Sequence, residues 1–410
     1  MCLGSRSRIW RRTAGHAFRL WSFARMAANA GALDGEVAGV STSSSATGNL
    51  KWYGIAALGT KVYSAPFGVE PFLFYNTVTE QLTGEIWRGW NGTGWAGIVG
   101  VVGMAGLEDT VYAAPHNAEQ LLIYDTGTGQ MSHVSTTAFA TGRGKWVGIA
   151  ALGYNVYAAP FNAEYLLIFD PRRGQVSGVS TAAIATGSRK WIGIVALGSK
   201  LYAAPYDAQH LLIYDFWTGQ VSGVSTAAVA TGSDKWEGIT AFGDKVYAAP
   251  HKAEHLLIYD PGTEQLSGVS TTAVATGMGK WSGIVALGDK LYAAPSDAEQ
   301  MLIYDTGTGQ VSGVSTAAIA TGGGKWAGIA ALGDKLYAAP SNAEMMLVYV
   351  PPSTATTVTT STMPTTTPTS TPTAPAPAPA ECADTDNGAV DRDGDSCSGY
   401  TTNPSWCGGV

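Results

Sequence analysis

Residues 190–226 contain one complete copy of a repeat, KWIGIVALGSKLYAAPYDAQHLLIYDFWTGQVSGVST. Residues 235–271 repeat it with few changes, as KWEGITAFGDKVYAAPHKAEHLLIYDPGTEQLSGVST. The tryptophan near the start of the repeat occurs seven times along the chain, and its last five occurrences are 45 residues apart. A period of about 40 to 50 residues that contains several short strands is typical of a propeller or a solenoid.

Each copy contains four segments that are rich in β-branched and aromatic residues and are separated by turn residues. We call them A, B, C and D; in the fourth copy they are residues 193–197, 200–205, 210–215 and 220–226. Gly198-Ser199 between A and B predicts a two-residue type II′ hairpin. Segments A to C are almost continuously apolar, as in strands covered on both faces, whereas D carries polar residues and suits an edge strand. Each copy therefore predicts a four-stranded antiparallel blade with A innermost.

The start and the end of the repeat region complete each other. Residues 35–42, GEVAGVST, match segment D but precede the first full copy, and the seventh copy has only A, B and C before Pro351 and Pro352. We expect residues 35–42 to pair with residues 344–350, which would close the ring and remove an exposed sheet edge. The predicted fold class is all-β: a seven-bladed β-propeller of four-stranded antiparallel blades over residues 34–350, closed by an N-terminal outer strand.

The consensus K-W-x-G-I-x-A-L-G-x-K-x-Y-A-A-P resembles repeats in propellers of algae and other protists. It is more loosely similar to the kelch and Tyr-Val-Thr-Asn propeller classes, and it lacks the Gly-His and Trp-Asp dipeptides of the Trp-Asp repeat class. The resemblance implies the propeller fold and no particular activity, because propellers serve as scaffolds, lectins, hydrolases and lyases.

The recurring tryptophan is the most regular large residue of the repeat. Aromatic side chains bury about 150 to 250 Å² each when they enter a core. We therefore expect a structural role, packing between neighbouring blades, for Trp52, Trp95, Trp146, Trp191, Trp236, Trp281 and Trp326.

The loops that join D to A and B to C lie at the same end of a blade and are its longest loops, so this end is the predicted binding face. The residue after the B-strand proline is aromatic in five consecutive copies, as Phe67, His116, Phe161, Tyr206 and His251. These rings could form a crescent around the channel mouth that stacks on a sugar or another planar group. The alternative is that they are exposed side chains that the ring tolerates.

Two charged residues also recur on this face. Glutamate recurs in the loop between B and C, and lysine precedes the tryptophan in six copies, as Lys51, Lys145, Lys190, Lys235, Lys280 and Lys325. We count Lys145, Lys190 and Lys235 among the candidate ligand contacts. The alternative is a ring of surface ion pairs, which would contribute little to stability.

No catalytic arrangement stands out in the sequence. His251 and His255 are close together, but no cysteine or second acidic motif accompanies them as a metal site would require. We therefore predict no metal and no cofactor. The near-identity of the copies favours a non-catalytic module that binds a glycan or a protein by repetition. The alternative is a propeller enzyme, a lyase or a hydrolase, with its site at the channel mouth.

Composition limits the classes of partner. Charged residues make up 13% of the 410 residues, and the formal net charge is −7. An acidic balance disfavours a nucleic acid partner, and no apolar run reaches the roughly 18 residues of a membrane span. We expect a monomeric ring.

The two ends of the chain differ from the ring. Residues 1–33 contain six arginines and no acidic residue, which resembles an organelle transit peptide, so we expect a targeting or disordered extension. Residues 351–380 form a Thr/Pro-rich linker that resembles O-glycosylated stalks. Residues 381–410 resemble the start of a cysteine-rich module of algal extracellular proteins, with an odd number of cysteines, Cys382, Cys397 and Cys407. The tail and the sequon at Asn91 favour an extracellular or cell-surface location; the N-terminus favours an organelle.

Overall fold

The computed structural model describes residues 35–86, 94–101 and 109–352. The predictions for residues 1–33, the Asn91 sequon, nearly all of the Thr/Pro-rich linker and residues 381–410 concern residues outside these ranges. The described residues form 28 β-strands in seven four-stranded antiparallel sheets, so the predicted fold class of the ring is confirmed. These ranges contain no helix long and apolar enough to cross a membrane.

Every blade has its strands in the order A, B, C, D from the channel outward. The A strands of blades 1 to 7 are Trp52–Leu58, Trp95–Val101, Trp146–Leu152, Trp191–Leu197, Trp236–Phe242, Trp281–Leu287 and Trp326–Leu332. The B strands are Lys61–Pro66, Thr110–Pro115, Asn155–Pro160, Lys200–Pro205, Lys245–Pro250, Lys290–Pro295 and Lys335–Pro340. The C strands are Phe72–Asn76, Gln120–Asp125, Tyr165–Asp170, His210–Asp215, His255–Asp260, Gln300–Asp305 and Met345–Val350. The D strands are Gln81–Glu85, Met131–Ser135, Gln175–Ser180, Val221–Ser225, Gln265–Ser270 and Val311–Ser315, with Glu36–Ser41 serving blade 7.

The ring is closed by strands from both ends of the repeat region, as predicted. Strand Glu36–Ser41 pairs antiparallel with Met345–Val350, with Glu36 opposite Val350 and Ser41 opposite Met345. The first and last blades also meet at the channel, where a Cβ atom added to Gly328 would lie 2.9 Å from Cα of Gly54. Strand Met345–Val350 of blade 7 is therefore paired on both sides and is not left as an outer edge strand.

Glycine chemistry shapes the A strands and their hairpins. Gly198 has φ +59° while Ser199 stays outside the left-handed region, which is the pattern of a type II′ turn. Within the A strand of blade 4, the register shifts between Trp191 and Ile194, around Gly193. A Cβ atom at Gly193 would lie 2.7 Å from the backbone oxygen of Glu237, so glycine lets the inner strands of adjacent blades approach closely.

The core lies between the blades, and the recurring tryptophans are at its centre. Trp191 is completely buried in a cluster that contains Tyr157 and Leu166 of the preceding blade. Its indole Nε1 donates a hydrogen bond of 2.8 Å to the backbone oxygen of His210, the first residue of the C strand. The same two features recur around the ring, since all seven tryptophans are 0 to 3% exposed and each indole donates to a backbone oxygen near the start of its own C strand.

Candidate ligand site at the channel mouth

The five aromatic residues that follow the B-strand prolines form an unbroken series of contacts across blades 1 to 5. The distances between ring centroids are 5.3 Å for Phe67–His116, 5.9 Å for His116–Phe161, 6.1 Å for Phe161–Tyr206 and 5.4 Å for Tyr206–His251. All four lie within the range in which aromatic pairs attract each other. We call these five residues the aromatic arc. They are partly or almost fully buried, with Tyr206 only 9% exposed.

The backbone holds each arc residue between two blades. The amide of Tyr206 donates to the backbone oxygen of Lys190 in its own blade, and its carbonyl accepts from the amide of Lys235 in the next blade, both at 2.9 Å. The corresponding bonds hold Phe161 between Lys145 and Lys190. The repeated backbone geometry therefore places one arc residue in the equivalent position of each of blades 1 to 5.

The lysines next to the tryptophans lie beneath the arc and not on the surface. Lys190 is 2% exposed, and its ammonium group donates to the backbone oxygens of Phe161, Ala163 and Gly187 at 3.3, 2.8 and 2.9 Å. Lys145 and Lys235, each 1% exposed, likewise bind carbonyl oxygens of the preceding blade and of their own loop.

This placement corrects the expectation of a ring of surface ion pairs, while the role of Lys145, Lys190 and Lys235 as ligand contacts stays a prediction. Among the described residues, one lysine of this position lies within 4 Å of a repeat glutamate: Nζ of Lys51 is 3.9 Å from Oε1 of Glu344. The lysines and glutamates therefore do not form a ring of surface ion pairs. The ammonium groups of Lys145, Lys190 and Lys235 donate hydrogen bonds to backbone oxygens of the arc residues His116, Phe161 and Tyr206. These bonds help to hold the arc in place. Burial lowers the pKa of each of these three side chains to about 8, so they remain mostly charged at neutral pH.

A second group of side chains lies at the centre of the mouth, and it was not singled out from the sequence. Glu237 follows Trp236 in blade 5 and is 7% exposed. The hydroxyl of Tyr53 in blade 1 donates a hydrogen bond to Oε1 of Glu237, and Nε2 of His251 lies 3.5 Å from Oε2. Because blades 1 and 5 are not neighbours in the ring, the Tyr53–Glu237 bond crosses the channel.

A comparison of the copies at one position contains the signal for this group. The residue that follows the tryptophan is Tyr53, Ala96, Val147, Ile192, Glu237, Ser282 and Ala327 in order. A carboxylate among six neutral residues, at a position that lines the channel cavity in blades 1, 3, 4, 5 and 6, marks blade 5 as different.

The tyrosines around Glu237 act as neutral hydrogen-bond donors. Burial, together with the charge of Glu237, raises the pKa of Tyr53 and that of Tyr206 well above the usual value. Burial and the nearby charge of Lys145 lower the pKa of His116 to about 4, so its imidazole is neutral at physiological pH. Nδ1 of His116 and Nδ1 of His251 are buried without a hydrogen-bond partner in the described part of the chain.

The rim of the mouth is reinforced between blades 4 and 5. Arg189 forms ion pairs with Asp207, at 3.3 Å, and with Asp234. Its guanidinium carbon lies 5.1 Å from the ring centroid of Tyr206, within cation–π range. Although burial opposes it, hydrogen bonds from Tyr206 and Ser233 hold the pKa of Asp234 below its usual value. The charge of Arg189 is therefore balanced by Asp207 and Asp234 at the rim.

The inner strands enclose a cavity of about 160 Å³ in the channel. Its lining consists mainly of the glycines and isoleucines of the A strands, together with Tyr53, Glu237 and Ser282. Within the described ranges, no three histidine, cysteine, aspartate or glutamate side chains converge as metal ligands would. The arrangement combines aromatic faces with a buried carboxylate at the centre of the mouth.

The fold and this mouth define the class of the protein as a seven-bladed β-propeller with its candidate site on the face of the D–A and B–C loops. No family model matches the chain, so the kelch-like resemblance of the repeat stays a prediction. No curated protein matches it either.

Many solved structures are similar to this chain, and three of them are described below. Virginiamycin B lyase from Staphylococcus aureus shares 13% identity and a TM-score of 0.61, over 77% of this chain and 99% of that chain. A streptogramin B lyase shares 14% identity and a TM-score of 0.60, over 76% and 96%. An extracellular domain from B. thetaiotaomicron shares 11% identity and a TM-score of 0.57, over 76% of this chain and 42% of that chain. Similarity at these identities shows a common fold and nothing more.

Proposed function

We propose that the protein is a non-catalytic binding propeller that recognises a glycan through the aromatic arc. The observation that carries this proposal is the unbroken contact of five rings on one face of the ring, at the mouth of its channel. Ring faces of this kind are suited to stacking on the apolar face of a sugar. Because neighbouring rings and the backbone already hold them in place, ligand binding orders few side chains and loses little entropy.

The size of the arc favours a glycan over a folded protein as the ligand. A stable protein interface buries about 800 Å² on each partner. Five partly buried rings present at most a few hundred Å² of surface, since a whole aromatic side chain contributes only about 150 to 250 Å². A short oligosaccharide matches that area better.

We further propose that this binding takes place outside the cell. The Thr/Pro-rich residues 351–380 and the cysteine-bearing residues 381–410 support this location. Mass spectrometry of the native protein tests it: O-linked sugar on residues 351–380 is the expected result, and an unmodified segment with three reduced cysteines contradicts it.

A glycan array probed with the full chain tests the proposed function directly. We expect binding that is weakened at least tenfold in F161A and Y206A, measured by titration calorimetry with the best glycan. Tyr154 is the matched control, because it is 46% exposed and lies in the A–B hairpin of blade 3, at the opposite end of the blade. Y154A should bind as the wild type does. No glycan above background, or equal loss in Y154A, contradicts the proposal.

The second candidate function is a propeller enzyme, and the Glu237–His251 pair favours it. A carboxylate and an imidazole 3.5 Å apart at a channel mouth are the residue types of general acid and base catalysis. The fold that this chain shares with virginiamycin B lyase suggests the first compound to try. Mass spectrometry after incubation of virginiamycin B with the wild type and with E237Q tests this candidate. Conversion by the wild type alone supports it, and no conversion by either removes this substrate.

A further inference from the structure

Among the described residues, no lysine or arginine nitrogen lies within 4 Å of the Glu237 carboxylate, whose one ion-pair contact is with the imidazole of His251. The side chain is 7% exposed, and buried glutamate is rare unless it is paired with a cation. Its oxygens face the Tyr53 hydroxyl, which is a neutral donor, and Nε2 of His251 at 3.5 Å, beyond the usual length of a hydrogen bond.

Two cationic groups of the loops around the mouth have other partners. The ammonium group of Lys235 donates to the backbone oxygens of Tyr206 and Gly232. The guanidinium group of Arg189 pairs with Asp207 and Asp234. The centre of the mouth therefore combines negative charge with aromatic faces, which is the environment that organic ammonium groups prefer, through charge pairing and cation–π attraction.

We propose that the ligand of this site carries a protonated amino group, which is seated on Glu237 between the rings of Tyr53 and Tyr206. The cavity of about 160 Å³ that Tyr53 and Glu237 help to line gives such a group room at the channel. The inference rests on the proposed glycan function and names the class of glycan: sugars with a free amino group. Their N-acetylated counterparts present the same stacking faces without the positive charge.

Titration calorimetry with a matched pair of ligands tests this inference on the full chain. The pair is a glucosamine tetrasaccharide and an N-acetylglucosamine tetrasaccharide of the same linkage, at a pH that keeps the free amines protonated. We expect the wild type to bind the glucosamine form at least tenfold more tightly. We expect E237Q, which keeps an acceptor for the Tyr53 hydroxyl, to lose this preference while it still binds the acetylated form.

Glu164 provides the matched control variant. It lies in the exposed B–C loop of blade 3, on the same face as Glu237, so E164Q removes the same charge from the same end of the ring. E164Q should keep the tenfold preference. An equal loss of preference in E164Q would show that the general negative field of the face is responsible, and it would overturn the assignment to Glu237.

The outcomes separate this inference from the function on which it rests. If both sugars bind equally and F161A weakens both, the amine preference is overturned and glycan binding stands. If neither sugar binds, glycan recognition is overturned. A thermal-shift comparison of n-butylammonium chloride with n-butanol then tests whether Glu237 still forms a site for an ammonium group. Stabilisation by the ammonium salt in the wild type but not in E237Q keeps the cation site; no difference overturns it too.

Discussion

The hydroxyl of Tyr53 in the first blade donates a hydrogen bond to Oε1 of Glu237 in the fifth blade. These residues are 184 positions apart in the chain, and the bond between them crosses the channel. It joins two blades that share no strand pairing, and it holds a buried carboxylate in place at the centre of the aromatic arc.

Replacement of Tyr53 by phenylalanine should lower the free energy of unfolding by about 1 to 2 kcal/mol, because a buried carboxylate oxygen then loses its donor. Urea denaturation measures the change. Tyr154→Phe is the matched control, since Tyr154 is 46% exposed. Equal stability of Y53F and the wild type would contradict a contribution from the bond across the channel.

Trp191→Ala should destabilise the ring by about 3 to 5 kcal/mol, because it empties a fully buried site and removes the hydrogen bond to the backbone oxygen of His210. Trp217→Ala makes the same chemical change at a side chain that is 79% exposed. Thermal unfolding of the two variants should therefore differ strongly. Similar melting temperatures would show that the repeat tryptophans do not stabilise the contact between blades.

Lys190→Met should cost about 2 to 4 kcal/mol of stability, although methionine is similar in length and is more apolar. The substitution removes the ammonium donor from the backbone oxygens of Ala163 and Gly187 in a buried place, and it leaves the Phe161 oxygen with only the backbone amide of residue 190. Lys200→Met is the control, because Lys200 has a side chain that is 46% exposed, with an ion pair of 3.8 Å to Asp215. Denaturant titration should show almost no change in K200M. A stabilised K190M would mean that the buried charge is a net cost.

Gly283→Ala should destabilise the protein by about 1 to 3 kcal/mol for a purely steric reason. The new Cβ atom would lie 2.6 Å from Cα of Gly328 in the next blade, and Gly283 itself does not have a positive φ. Gly307→Ala is a control without positive φ, where the nearest atom, Oδ1 of Asp305, is 3.6 Å away. Its melting temperature should stay close to that of the wild type. Equal effects of both substitutions would contradict close packing of the inner strands.

Acid should weaken the fold partly through His116. Burial and the charge of Lys145 lower its pKa to about 4 in the folded state, against about 6.5 in an unfolded chain. Between these values the unfolded state binds more protons, so stability is complete above pH 6.5 and falls as the pH decreases towards 4. We expect this one group to account for about 2 kcal/mol of the loss, after allowance for its partial exposure.

Comparison of pH–stability curves isolates this group from the other titrating residues. H116F should lose less stability than the wild type between pH 6.5 and 4, because phenylalanine occupies the equivalent position in blades 1 and 3 and cannot bind a proton. Parallel curves for the two proteins would show that His116 does not contribute to acid sensitivity.

The architecture of the ring followed from the repeat alone. Strand order within a blade is a local property, since hairpin turns such as Gly198-Ser199 join neighbouring segments of the chain. The closing strand Glu36–Ser41 could be recognised because its Val-Ser-Thr ending recurs five more times in the repeats and blade 7 lacks a D segment of its own. The positions of the arc residues were predictable for the same reason, because one position of a repeat occupies one place in every blade.

Burial and contacts between distant blades were decided only by the tertiary structure. A lysine in a polar loop is predicted to be exposed. Lys190 is nevertheless buried, because its ammonium group donates hydrogen bonds to carbonyl oxygens of the preceding blade. The contact of Tyr53 with Glu237 depends on the diameter of the closed channel. That diameter cannot be predicted from the spacing of residues along the chain. The repeat sequence determines the strand order of each blade, because the contacts within a blade are local. The contacts between distant blades depend on the closed ring.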